Sequence, residues 1–201
     1  MSDEPSPGGL PASPFPFTGR RRRLPDEGDL EVFVSDEQHA EPVDAARWQR
    51  LAEDVVRHEG IGGDAELSIL FVDENAMADL NKRFMGKDGP TDVLAFPLED
   101  ELAEPGRFPD SSTTGPADPR SRDSAGEPPL LLGDVVVCPA VAARNAPGHA
   151  GTYDEELALL VVHGVLHILG HDHAVPSNEA AMQAKERELL ARFNRPPEGG
   201  A

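Results

Sequence analysis

Alternating apolar and polar residues predict four strands in this chain. The first two strands are marked by the apolar positions Leu30, Val32, Val34 and Leu67, Ile69, Phe71. The third and fourth are predicted over residues 92–96 and 131–138, and the second of these ends at Cys138. We expect this cysteine to be a small buried residue at a strand end.

Apolar residues at helical spacing predict the elements between the strands. After the first strand they fall at Trp48, Leu51, Ala52, Val55 and Val56, and Gly60 ends that helix. Asp73 is the predicted cap of a second helix, which turns Met77, Leu80 and Phe84 inward and ends near Gly86.

Three further helices are predicted in the second half of the chain. Pro139 suits the first turn of a short helix. Thr152 and Glu155 form a capping box that begins a central helix, and its residues are apolar on nearly all sides. Ser177 is the predicted cap of the last helix. The sequence therefore predicts a single α+β domain, with a four-stranded mixed sheet, helices packed on it, and a buried central helix.

Proline and glycine set the predicted boundaries of this domain. The chain has 20 prolines and 19 glycines in 201 residues, and they concentrate at the ends and in the middle. Residues 1–28 and 196–201 are predicted to be disordered tails, and residues 98–129 a disordered insertion in a domain spanning 29–195. The arginine run 20–23 in the first tail is either a solvated segment or a contact for nucleic acid.

Neither a disulfide nor a membrane anchor is expected. Cys138 is the only cysteine, so no intramolecular disulfide can form, which fits a reducing cytoplasm. No signal peptide or spanning helix is apparent, because the apolar run before the central histidines is too short. We therefore expect a cytoplasmic protein that makes no contact with a membrane.

Histidines are concentrated in one stretch. Four of the chain's seven histidines lie within residues 163–173, directly after an apolar run. On a helix His163 and His167 share one face. Gly170 would end that helix, and the returning chain would bring His173 beside the first two. Three imidazoles with a fourth position left open are typical of catalytic zinc, so the spacing predicts one zinc ion (Zn2+) per chain held by these three histidines.

Two neighbouring residues leave alternatives open. His171 would share the face of His163 if the helix continued, which makes it a rival third ligand. Asp172 is either an acceptor that orients an imidazole or an ordinary turn aspartate. A fourth position closed by His171 or Asp172 would instead make a structural metal site.

The pattern differs from that of zinc peptidases at one position. Their H-E-x-x-H motif places a general-base glutamate directly after the first histidine. Here that position is Gly164. Peptide hydrolysis would lack its usual base, which disfavours a metallopeptidase.

Three blocks of the sequence resemble the YbeY family of bacterial metal-dependent endoribonucleases, which are implicated in rRNA maturation. The blocks are residues 163–173, residues 80–81 followed by K-D-G-P-T-D-V-L-A-F-P at 87–97, and G-D-V-V-V-C-P at 133–139. In the family pattern the metal ligands are the first, fifth and eleventh residues of the histidine block. The resemblance implies that role for His163, His167 and His173, and it covers roughly residues 30–98 and 130–193.

The resemblance implies a zinc-dependent endoribonuclease that cuts single-stranded rRNA. Its expected roles are maturation of the 3′ end of 16S rRNA and ribosome quality control, with rRNA precursors, the small ribosomal subunit and assembly factors as partners. Thr91 and Asp92 would lie beside the metal; otherwise they form a turn with a capping threonine. No general base is identified: Asp172 and His171 are candidates, and attack by the ribose 2′-hydroxyl is equally compatible.

Departures from the family pattern keep a second function open. Many members have an arginine where this chain has Met85 and a serine where it has Ala95, and Arg83 lies on the wrong helix face to substitute. The net charge of −19 also counts against an RNA substrate, because phosphate contacts normally need Lys and Arg. The alternative is a non-catalytic ribosome-assembly factor with a structural metal.

Overall fold

The structure, a computed structural model, describes residues 29–98, 129–171 and 176–194. Both predicted tails, the arginine run 20–23 and nearly all of the predicted insertion lie outside these residues. Asp172 and His173 also lie outside them.

The described strands form one mixed sheet in the order β1-β2-β4-β3. Strands β1 (Leu30–Asp36), β2 (Ala65–Phe71) and β4 (Leu130–Val137) are parallel, and β3 (Val93–Pro97) pairs antiparallel with β4 at one edge. The predicted four-stranded mixed sheet is confirmed.

Five helices pack around this sheet in the described part of the chain. They are α1 (Ala45–His58), α2 (Glu74–Leu80), α3 (Pro139–Asn145), α4 (Tyr153–Ile168) and α5 (Pro176–Phe193). The predicted α+β class is confirmed, although α5 begins one residue before its predicted cap. None of the described helices is long and apolar enough to cross a membrane.

The main hydrophobic core lies between the sheet and helices α1 and α4. Its largest members include Trp48 of α1 and Phe71 of β2, both fully buried. A smaller cluster contains Met77 of α2, Val141 of α3 and Cys138. Burial raises the pKa of the Cys138 thiol, which agrees with the predicted role of a small core residue.

Helix α4 is the element that positions the histidines. The predicted capping box is present, because the Thr152 side chain accepts from the Glu155 backbone and the Glu155 side chain accepts from the Thr152 backbone. Gly164 lies directly against β4, since a Cβ at that position would come within 2.5 Å of Val135 Cγ1. The face of α4 that carries Gly164 is therefore occupied by the sheet.

Gly133 allows a second close approach, between β4 and the edge strand β3. Its φ of 141° lies in a region that favours glycine, and an added Cβ would lie 2.3 Å from the Phe96 carbonyl oxygen. The glycine that begins the G-D-V-V-V-C-P block therefore lets the edge strand join the sheet.

The prediction that Phe84 faces inward is wrong. One π-helical turn, Asn81–Met85, follows α2 and widens the residue spacing, so Phe84 leaves the buried face and is 56% exposed. Its ring lies edge-on against Phe96, with ring centroids 4.9 Å apart. Asn81 is buried instead and donates to the Gly89 carbonyl at 2.8 Å.

Candidate metal centre and its cavity

His163 and His167 meet on one face of α4. Their Nε2 atoms are 3.1 Å apart. Two nitrogens bound tetrahedrally to one zinc ion would be separated by about 3.3 Å. The same separation also suits a hydrogen bond between a protonated and an unprotonated imidazole nitrogen. The structure thus brings together two of the three predicted ligands, at a spacing that fits a shared ion.

Glu186 of α5 fixes the orientation of the His163 ring. This buried carboxylate has its Oε1 2.7 Å from His163 Nδ1. An ionised carboxylate can only accept, so Nδ1 carries the proton and the lone pair is on Nε2. That is the tautomer a metal needs, and a carboxylate behind a ligating histidine is a recurrent feature of metal sites.

Sequence reasoning missed Glu186, although the chain carries a signal for it. Met182, Glu186 and Leu189 follow helical spacing on α5, and all three are buried. A carboxylate within an apolar stripe is seldom placed there without a partner. The identity of that partner depends on the packing of α5 against α4, which the sequence does not show.

Gly170 ends the helical turn, and His171 leaves the face shared by the first two histidines. Gly170 has a φ of 81°, and the His171 backbone N–H donates to the Leu166 carbonyl at 2.9 Å. The helix does not continue, so the condition under which His171 would share the face of His163 is not met. Instead, His171 Nε2 lies 3.1 Å from Glu59 Oε2.

Glu59 joins three helical segments beside this turn. Glu59 follows the last residue of α1, and its side chain is only 5% exposed. Its carboxylate pairs with Lys185 Nζ at 3.1 Å and with His171. Burial opposes ionisation, but the hydrogen bonds and charges of Lys185 and His171 outweigh it and hold the pKa of Glu59 below its ordinary value. The sequence signal was an acidic residue at a helix C-terminus, where the helix dipole disfavours negative charge.

The described residues hold only part of the predicted metal site. Within ranges 29–98, 129–171 and 176–194, no three His, Cys, Asp or Glu side chains converge as a complete site. The described part contributes the nitrogens of His163 and His167, while the predicted third ligand His173 and its neighbour Asp172 lie outside it.

Thr91 and Asp92 form a brace at the start of β3. Asp92 Oδ1 accepts from Thr91 Oγ1 at 3.1 Å and from the Val93 backbone at 2.9 Å. Asp92 Oδ2 accepts from the Asn145 side chain at 3.3 Å. In the described structure, Asp92 lines the same cavity as His163 and Thr91 does not. The loop therefore places one of the two candidates at the cavity that His163 lines.

This cavity has a volume of about 500 Å³ and lies between α4, α5 and the beginning of β3. The volume is in the range of ligand-binding pockets. Asp92, His149, His163, Glu186 and Arg187 are among the residues that line it. The candidate metal ligand His163 thus opens onto a space large enough for part of a substrate.

A second carboxylate–histidine pair borders the cavity. Glu156 of α4 is completely buried, and both of its carboxylate oxygens lie 3.0 Å from His149 Nδ1. The Ala150 backbone N–H donates to Glu156 Oε2 at 3.2 Å. Sequence reasoning missed this pair too, although Glu156 is a charged residue beside an otherwise apolar helical stretch.

Comparison with known proteins identifies the family. The family model described as Endoribonuclease YbeY matches residues 33–194. The chain belongs to the YbeY family. The resemblance carried by the histidine, K-D-G-P-T-D and G-D-V-V-V-C-P blocks is confirmed, and so is the predicted class of enzyme, an endoribonuclease.

Two relatives illustrate the extent of the match. Endoribonuclease YbeY of Salinispora tropica is 42% identical over 164 residues, which cover 82% of this chain and 96% of the relative. Endoribonuclease YbeY of Mycolicibacterium gilvum is 45% identical over 164 residues, covering 82% and 83%. The solution structure of TM1509 from Thermotoga maritima covers 85% of this chain and 100% of its own, at 23% identity and a TM-score of 0.45.

Met85, the position at which the resemblance leads us to expect an arginine, is 47% exposed at the end of the π turn. The guanidinium carbon of Arg83 lies 5.5 Å from the centre of the Phe84 ring. The position of Met85 would therefore accommodate a longer cationic side chain.

Proposed function

We propose that this YbeY protein is a zinc-dependent endoribonuclease that cuts single-stranded rRNA. The ligands in this proposal are His163, His167 and His173, with one ion per chain. The proposed role is maturation of the 3′ end of 16S rRNA and ribosome quality control in the cytoplasm. The proposed partners are rRNA precursors, the small ribosomal subunit and its assembly factors.

The observation that carries the proposal is the convergence of His163 with His167, where His163 lines a substrate-sized cavity. Their Nε2 atoms are 3.1 Å apart, and Glu186 holds His163 in the tautomer that a metal requires. Two neutral nitrogens on a buried helix form a rigid base for a metal site. Zinc, when bound, would supply a positive charge that polarises a phosphoryl oxygen.

Among the described residues, the charged side chains that line the cavity are three carboxylates and one arginine: Asp92, Glu179, Glu186 and Arg187. Asp92 accepts hydrogen bonds and Glu186 pairs with His163, so part of this negative charge is already compensated. Because Glu179 adds a further negative charge, binding of a phosphate-containing substrate would depend on zinc and Arg187 to offset the repulsion that the net charge of −19 implies.

The geometry around Gly164 argues against peptide hydrolysis by the usual mechanism. A side chain at this position would clash with Val135 of β4, so a glutamate there could not extend into the cavity without displacing the sheet. The space that the general-base glutamate of H-E-x-x-H peptidases would need is thus occupied by Val135.

The departure from the family pattern at Met85 leaves one second candidate, a ribosome-assembly factor that binds RNA without cutting it. In that case the metal would be structural, and a closed coordination sphere would include His171 or Asp172. The two functions differ in whether the histidines are needed for cleavage or only for stability.

The proposal is tested by measuring zinc content and RNA cleavage in the wild type and in His167→Ala. His39→Ala is the matched control, because His39 is exposed and does not line the cavity. We expect about one zinc ion per chain in the wild type. We also expect cleavage of single-stranded RNA that chelation abolishes, with both properties retained by the control and lost in His167→Ala.

Two results would decide against this function. Zinc-loaded wild type that binds but does not cut rRNA would favour the assembly factor. A wild type that binds no zinc would remove the basis of the proposed metal centre.

A further inference from the structure

Helices α4 and α5 run antiparallel along the cavity that His163 lines. Glu186 of α5 pairs with His163 of α4 at one level. At another level Arg47 donates to Asp154 in the first turn of α4 and to Asn194 just after α5. A line that leaves the histidines along this cavity therefore passes toward the beginning of α4 and toward the end of α5.

One turn along this line, the wall of the cavity is apolar. Leu159 lies one turn before His163, and Leu190 lies one turn after Glu186, so the two leucines lie on the same side of that pair. Both line the cavity, as does Val93 of β3, and each of the three is only partly buried. This apolar section suits an uncharged group with apolar faces.

Polar side chains lie at the two ends of the apolar section. His163 and Arg187 line the cavity at the end nearest the candidate metal ligands. His149 lines the other end, where buried Glu156 pairs with its Nδ1 and leaves Nε2 for a ligand. Glu156 precedes His163 by seven residues, or about 10.5 Å along the axis of α4. That separation is close to the reach of one nucleotide, from its phosphate to the far edge of its base.

The charges of the cavity determine which part of a nucleotide enters the apolar section. The carboxylates of Asp92, Glu179 and Glu186 line the cavity and repel a phosphate. Arg187 and a bound metal would offset this repulsion only at the end with the metal ligands. A base carries no charge and gains free energy from burial against apolar side chains. The phosphate therefore stays beside the metal ligands while the base extends toward His149.

We propose that the apolar section is a pocket for one unpaired base of single-stranded RNA, in the nucleotide next to the cleaved bond. This inference rests on the proposed endoribonuclease function. Leu159, Leu190 and Val93 pack against the base, and His149 Nε2 accepts a hydrogen bond from an N–H group at its far edge. A base in a duplex is stacked and paired, so it must be extruded before it can enter. The pocket therefore restricts cleavage to single strands.

The test uses zinc-loaded wild type and a single-stranded RNA oligonucleotide with one mapped cleavage site. Each nucleotide around the cut bond is replaced in turn by an abasic ribose, which keeps the phosphates and removes the base. We expect kcat/KM to fall by at least about 10-fold at one position next to the cut bond, and by less than about 3-fold elsewhere.

Two variants alter the pocket from different sides. Leu159→Trp fills it, whereas His149→Asn keeps a donor for Glu156 and lacks Nε2. Each should lower kcat/KM for the intact RNA, keep the zinc content, and cut the abasic RNA as the wild type does. Leu131→Trp is the matched control, because Leu131 is 50% exposed on β4 and does not line the cavity. It should retain the full response to the abasic substitution.

A fluorescent base reports on the pocket before the bond is cut. In the free strand, 2-aminopurine at the sensitive position is quenched by stacking on its neighbours. Transfer to aliphatic surroundings should raise its emission when it is mixed with zinc-loaded wild type in a stopped-flow instrument. Leu131→Trp should give the same rise, and Leu159→Trp should give little of it.

The results separate this inference from the proposed function. Cleavage that no abasic substitution changes would overturn the base pocket and leave the nuclease intact, with the cavity then suited to an apolar side chain of a protein partner. A full abasic effect in both Leu159→Trp and His149→Asn would place the recognised base elsewhere; His149→Asn decides alone if the tryptophan prevents folding. A zinc-loaded wild type that cuts no RNA would overturn the proposed function as well.

Discussion

Glu186 Oε1 lies 2.7 Å from His163 Nδ1, and this contact links α5 to the histidine face of α4. The carboxylate determines the tautomer of His163 and restrains its ring. The proposed metal centre would therefore depend on a residue from a separate helix, 23 residues after His163.

Replacement of Glu186 should weaken zinc binding without removing a ligand. In Glu186→Gln the amide oxygen can still accept from Nδ1, but the negative charge is lost. We expect zinc affinity to fall about 10- to 100-fold, measured by competition with a chelator of known affinity. Glu188→Gln, on the same helix with its side chain 56% exposed, is the matched control and should bind zinc as the wild type does. Equal affinity of both variants would show that Glu186 does not support a metal ligand.

The position after the first histidine should tolerate no side chain. Gly164→Ala places a Cβ 2.5 Å from Val135 Cγ1, so α4 must move away from β4. We expect a loss of roughly 1–3 kcal/mol in the free energy of unfolding, measured by urea denaturation with Trp48 fluorescence as the probe. The double variant Gly164→Ala/Val135→Ala should lose less free energy of unfolding than the sum of the losses in the two single variants, because Val135→Ala removes the clashing methyl groups. A fully stable Gly164→Ala would contradict the close packing described for α4.

Periodicity was sufficient to predict the sheet, α4 and the meeting of His163 with His167, because these depend on local spacing. It failed at Phe84, because a π turn changes the spacing in a way that apolar patterning does not reveal. It also missed Glu186, Glu156 and Glu59. The partners of Glu186 and Glu59 are side chains on other elements, and only tertiary packing brings each pair together. Glu156 pairs with His149 only because the turn before α4 folds back onto that helix.

Tyr153 should titrate only at unusually high pH. Burial raises the pKa of its phenol, and the charges of Glu41, Asp154 and Asp36 add to the effect. Because the folded state binds the phenolic proton more tightly, this group's stabilising contribution is complete below the ordinary tyrosine pKa of about 10 and declines as the pH rises above it. Tyr153 is the only tyrosine, so the ultraviolet absorbance of phenolate reports on it alone. A transition at the same pH in folded and urea-unfolded protein would contradict the described burial.

Met85→Arg should strengthen RNA binding. The position is 47% exposed, so the new guanidinium can reach solvent and phosphate without disturbing the core. We expect a lower KM for single-stranded RNA and a steeper dependence of binding on salt concentration, by about one phosphate contact. Met85→Gln is the uncharged control of similar length. Identical binding by both variants would mean that this surface does not meet the RNA.

The third ligand is the most direct test of the proposed metal centre. Zinc affinity should be measured by chelator competition in His173→Ala and His171→Ala, with the wild type as reference. The account predicts that His173→Ala loses at least about 100-fold in affinity, whereas His171→Ala stays within a few-fold, because His171 contacts Glu59. A large loss in His171→Ala together with wild-type affinity in His173→Ala would contradict the proposed ligand set.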